Sequence, residues 1–116
     1  MTATSIGDRK VRILIPSRRK DGIRLDEDLC RKWDGEARSL LTRLFGGATA
    51  ELTKGTFAHA DGRVTREDIT VLTSVTTRKK LSRERFAEVA SFSETLCGAL
   101  GQESVLYFWG ERGYLA

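Results

Sequence analysis

Glu67, Glu103, His59 and Arg18 are the residues with which this chain of 116 residues could do acid–base chemistry or hold an anion. Two carboxylates, the only imidazole of the sequence and a guanidinium make a small set of proton carriers and charge partners if the fold brings them together. Nothing in their spacing fixes a reaction. There is no Gly-rich phosphate loop of the usual form, no H-E-x-x-H and no Ser elbow, and "FGGATA" reads as a helix end. Strand ends and hairpins are also polar simply because they are wet, so Glu67, Glu103 and His59 stand as catalytic candidates and nothing stronger. Cys30 and Cys97 lack a nearby Cys or His at metal-ligand spacing. They read as reduced, largely buried thiols, and neither a metal nor a cofactor is expected.

The elements that must position these residues follow from hydrophobic period. "KVRILIPS" (10–17) alternates as a strand does and ends at Pro16, which cannot donate to a ladder. Between Asp26 and Phe45 the apolar residues Leu29, Trp33, Ala37, Leu40, Leu41 and Leu44 recur every three or four positions, as on a helix. Asp26, Glu27 and Asp28 suit its positive end, and Gly46 its exit. "ATAELTKGTFAHA" (48–60) reads as a second strand, weakened or bulged near Gly55. Asp61-Gly62 reads as a tight turn, followed by a third strand over 63–77. Ser82 caps a second helix with Phe86, Val89, Ser93, Leu96 and Leu100 inward. A last strand runs over 103–109, before a Gly110–Gly113 turn and a short terminal piece.

The order β-α-β-β-α-β implies α+β class: a ferredoxin-like split sandwich, antiparallel sheet order 4-1-3-2, both helices on one face. Residues 1–9 read as a flexible tail and 10–116 as one domain. That topology collects the exit of the first strand, the hairpin, Glu67 and Gln102-Glu103 at one end of the sheet. It separates the basic group Arg18, Arg19, Lys20 and Arg24 from the second one, Arg78, Lys79, Lys80, Arg83 and Arg85. With a net charge of only +4, these are two patches and not one nucleic-acid stripe. The two central strands also lack the aromatic residues that an RNA-recognition domain of the same element order stacks on bases.

Alternation places Val11, Ile13, Ile15, Ile69, Val71, Val75, Val105, Tyr107 and Trp109 toward the helices. It leaves Leu14, Leu72, Leu106 and Phe108 on the open face, an apolar patch of the kind that marks an interface. A homo-oligomer or a protein partner is expected there, with Tyr114 and Leu115 folding back over the face as the alternative.

"GTFAHADGRVTRED" followed by "GQESVLYF" resembles small uncharacterised bacterial α+β domains that end in a Gln-Glu-Ser-Val-Leu strand. The matching positions are Gly55, Phe57, Gly62, Glu67 and Gln102 to Leu106. The resemblance implies a ferredoxin-like domain and transfers no catalytic role.

No apolar run approaches the ~20 residues of a bilayer span, and "MTATSIGDRK" lacks the pattern of a signal peptide, so a cytoplasmic location is expected and no membrane partner. The sequence thus favours a small non-enzymatic module acting by self-association and protein partnering. Nucleic-acid or anion binding through Arg18, Arg19, Lys20 and Arg24, with Gln102 beside them, is the second reading. A small-molecule enzyme with its site at the strand ends is the third.

Overall fold

Asp26 begins the first helix as its charge predicts: its carboxylate accepts the backbone N–H groups of Asp28 and Leu29, two of the donors that a helix start leaves unpaired. In this computed structural model, which describes residues 3–116, helix α1 runs Glu27–Phe45 and closes on Gly46 at φ 90°, whose N–H returns to Thr42. Strand β1 (Arg9–Ile15) precedes it, and β2 (Thr49–Ala58) and β3 (Val64–Thr76) follow. Ser82 caps α2 (Arg83–Ala99) through the N–H of Arg85. The chain ends in β4 (Leu106–Trp109) and β5 (Arg112–Leu115).

The protein is α+β, with two helices on one five-stranded antiparallel sheet. Its order is β2-β3-β1-β4-β5, five strands and not the expected four: from the other edge, β4-β1-β3-β2 keep the expected 4-1-3-2 order and a fifth strand extends it. The added edge is β5. Gly110 at φ 65° lets the chain reverse after Trp109, so the terminal piece pairs with β4 instead of lying over the open face. Pairing carries Tyr114 to the helix side, stacked on Tyr107 at 5.5 Å between ring centroids and 5.1 Å from Phe86. Leu115 remains exposed on the other side, opposite Leu106.

One continuous core lies between sheet and helices. Val11, Ile13 and Ile15 of β1, Val105 and Tyr107 pack with Ala37, Leu40, Leu41 and Leu44 of α1 and Val89 and Leu96 of α2. The expectation for β3 was off by one residue. Leu72 pairs with Ile13 and is fully buried under the helices, so it is not an open-face residue. Ile69, Val71 and Val75 take the other side, and Val75 is exposed. Pairing with β1 sets the register, and the helix face of β3 accepts small polar residues: Ser74 is buried and its hydroxyl donates to Gly47 at 2.7 Å.

The expected bulge at Gly55 is absent too. β2 and β3 pair without interruption from Thr49–Thr73 to Ala58–Val64. The hairpin closes through His59–Arg63, with Gly62 at φ 90°. Because β1 pairs with β3 only over Thr70–Thr76, the Val64–Ile69 half of β3 and its partner on β2 project past the body of the sheet as a two-stranded arm. Arg9 belongs to β1, and Gly7 lies so close to the Thr76 carbonyl that a Cβ would meet it at 2.0 Å. Among the described residues, no helix is long and apolar enough to cross a membrane.

Candidate functional site

The arm's open-side residues, the exit of β1 and the α2–β4 loop enclose a cleft of ≈ 190 Å³. Its floor is apolar, with Leu14, Phe57, Ile69 and Leu106, and its polar groups are few and convergent: Glu67, His59, Thr65, Glu103, Gln102 and Arg18. Gly55 makes the floor possible. A Cβ there would lie 2.6 Å from the Phe57 ring and 3.0 Å from Ile69, so only glycine lets the ring fold down onto Ile69. Ile69 is buried there, on the sheet face turned away from the helices.

Glu67 is the cleft's half-buried carboxylate. One oxygen accepts the backbone N–H of Arg18 at 2.7 Å, bringing β3 and the exit of β1 together across the chain. Burial pushes its carboxyl above the usual range, and the N–H groups of Arg18 and Ser17 and the charges of Arg18 and His59 only partly oppose this. Gln102 fixes the same segment from the opposite side: its amide donates to the carbonyls of Arg18 at 2.6 Å and Leu100 at 2.9 Å.

Glu103 does different work. Its carboxylate meets His59 Nδ1 at 2.8 Å and accepts the N–H of Ala60 at 3.1 Å, so it ties the tip of the arm to the α2–β4 loop. The imidazole is largely enclosed, with the Thr65 hydroxyl on its other nitrogen. An ionised Glu103 only accepts, which makes Nδ1 the protonated nitrogen. Arg63 adds a second tie, donating to the Lys20 carbonyl at 3.0 Å.

Glu67, Glu103, His59, Gln102, Arg18 and Arg19 therefore border one cleft. Lys20 sits at its outer rim with Ala60 and Arg63, and Arg24 lies behind it. Arg18 turns its guanidinium to the Gly22 carbonyl, and Arg19 pairs with Asp21. Of the expected interface residues, Leu14 and Leu106 line the cleft and Phe108 lies over Gly113, while Leu72 is in the core. Phe57, Thr65 and Ile69 escaped the candidate set. The signal available for them was a glycine inside a strand, which marks a close approach as readily as a bulge. Cys30 and Cys97 are free thiols whose pKa values are raised by burial, the less reactive direction. Among the described residues, no group of His, Cys, Asp and Glu could hold a metal ion.

No protein-family model and no curated protein matches the chain. Two solved structures do, and they show its fold. A phage SAM lyase in complex with S-methyl-5'-thioadenosine aligns with a TM-score of 0.69 at 17% identity, over 100% of this chain and 94% of that one. A phage SAM lyase in its apo state aligns at 0.67 and 18%, with the same coverage. Both are enzymes. The expectation of a non-enzymatic module is corrected on that ground, and the chain is similar in fold, from end to end, to a phage SAM lyase.

Proposed function

We propose that the chain is a small-molecule enzyme that binds a sulfonium nucleoside such as S-adenosylmethionine in the Glu67 cleft and breaks a carbon–sulfur bond. S-methyl-5'-thioadenosine is the expected product. The observation that carries the reading is the placement of a desolvated carboxylate on an apolar floor, in a fold shared with an enzyme of that name.

The chemistry suits such a site. When the bond between the sulfonium sulfur and the γ-carbon of the amino-acid chain breaks, both electrons stay on sulfur. A cation becomes a neutral thioether, and no acid is needed for the leaving group. The site must attract a positive charge and tolerate its loss. Near 4 Å and at an effective dielectric of about 20, a carboxylate and a cation attract by roughly 4 kcal/mol, against about 1 kcal/mol in water. Glu67 supplies the charge, and Leu14, Phe57 and Leu106 supply the low-dielectric wall. The carbon side closes without water in one of two ways. The substrate's own carboxylate oxygen bonds to the γ-carbon and forms a lactone, or a β-proton leaves to a carboxylate and a double bond forms. The two products are isomers.

The cleft is smaller than the ~300–1,000 Å³ of ordinary small-molecule pockets. A nucleoside would extend from it over the open sheet face, and a second copy of the chain covering Leu106, Phe108 and Leu115 would complete the enclosure.

Incubation with S-adenosylmethionine, followed by chromatography for the thioether and proton NMR of the four-carbon fragment, tests the reaction. Release of S-methyl-5'-thioadenosine that is lost in Glu67→Gln supports it. Absence of turnover, together with absence of calorimetric binding of the thioether, overturns it.

A further inference from the structure

On its helix side the projecting arm meets the start of α1, which shares a neighbouring hollow with Asp68 and Arg24. Directly opposed pairs place Lys54 beside Asp68 and Thr56 beside Arg66 on this surface. The exit of β1 bends across it, adding Ser17, Arg18 and Arg24, and together they line a second cleft of ≈ 330 Å³. Glu67 closes its inner end, so the two clefts share one wall.

The charges here are unbalanced. Four cations face two carboxylates, and the carboxylates are already engaged, Asp68 by Lys54 at 2.9 Å and Glu67 by the N–H of Arg18. Among the described residues, the side chains of Arg24 and Arg66 make no hydrogen bond and no ion pair. Both residues are exposed, so water solvates the two guanidinium groups, and an oxyanion seated between them would gain charge-assisted hydrogen bonds from both. The field is felt inside the cleft: Asp68 is held below the usual carboxylate range first by Lys54, then by the charges of Arg24 and Arg18.

We propose that this second cleft is an oxyanion site that takes a phosphate group between Arg24 and Arg66, with the hydroxyls of Ser17 and Thr56 as further donors. Phosphate fits better than a planar carboxylate because the donors come from three directions: β2, β3 and the loop after β1. The phosphate is that of a small nucleotide or of a polynucleotide backbone, and binding experiments separate the two.

The amide resonances of the full chain are followed during titration with inorganic phosphate at constant ionic strength, with chloride as the control. Saturable shifts centred on Ser17, Arg24, Thr56 and Arg66 are expected. The paired variant Arg24→Gln/Arg66→Gln should weaken the binding about ten-fold or more, as loss of charge-assisted hydrogen bonds does. Tighter binding of adenosine monophosphate than of inorganic phosphate assigns a small nucleotide. Still tighter, salt-sensitive binding of a short single-stranded oligonucleotide assigns a polynucleotide. Shifts reproduced by chloride, shifts unchanged in the paired variant, or no shifts at all overturn the site. None of these readouts depends on carbon–sulfur cleavage.

Discussion

The carboxylate of Glu67 accepts the backbone N–H of Arg18 at 2.7 Å, although 49 residues separate them in the chain. The bond fixes the carboxylate at the junction of the arm and the sheet. Burial nevertheless raises its pKa from the ordinary 4.5. Ionisation is therefore less favourable in the folded protein than in the unfolded chain. Between the ordinary and the raised value the folded state binds more protons, so this group's contribution to stability falls as pH rises through that window. Glu67→Gln removes the penalty and keeps an acceptor for the N–H. Urea midpoints should show the variant gaining on the wild type as pH rises from below 4.5 to 7, while activity is lost. A variant that is equally destabilised at every pH would count against a strained functional carboxylate.

The same ionisation gives binding a pH profile that depends on ligand charge. A sulfonium ligand needs Glu67 as an anion, so its affinity should fall as the pH drops through the raised pKa. S-methyl-5'-thioadenosine is neutral at sulfur and should lose much less in the same range. Calorimetric titration of both ligands at several pH values reads the difference. Parallel profiles would remove Glu67 as the partner of the cation.

Gly55→Ala tests the floor of the cleft. The added methyl falls within 2.6 Å of the far end of the Phe57 ring, which can swing away, and 3.0 Å from Ile69. The stability cost should stay near the low end of overpacking, about 1 kcal/mol. Ligand affinity should suffer more, because the displaced ring no longer covers Ile69. Thermal melts and titrations on one preparation separate the two effects.

The element order was readable in the sequence because both helices carry strong periodicity and plain caps, Asp26 and Ser82, and because Asp61-Gly62 marks the hairpin. The residues gathered at one sheet end, Glu67, Glu103, His59 and Gln102, followed from topology alone. The side to which β3 turns its residues did not. Ile69, Val71 and Val75 look like a core face, yet pairing with Ile13 selects Leu72, Ser74 and Thr76, two of them small and polar. Tertiary pairing overrode local hydrophobicity. The fifth strand was hidden because four residues after a glycine turn show too little pattern to stand apart from a tail.

That register has its own check. Leu72→Ala should destabilise by about 2–5 kcal/mol, as truncation of a buried leucine does. Val75→Ala, on the exposed side, should stay within about 0.5 kcal/mol. Denaturant unfolding of the two variants decides it, and the opposite ranking would restore the simpler alternation.

The open face carries the last prediction. Leu115 is exposed beside Leu106, and Phe108 packs over Gly113, where a Cβ would come within 3.2 Å of the ring. If a second copy completes the cleft, multi-angle light scattering of the wild type gives a multiple of 13.0 kDa. Leu115→Asp alters a side chain that is 70% exposed and should lower that mass. Phe108→Asp should lower it further, and circular dichroism separates loss of assembly from loss of fold. Activity should fall with protein concentration in Leu115→Asp if the assembled form is the one that encloses substrate. A wild type that stays at the single-chain mass while fully active would show that the cleft and sheet face suffice alone.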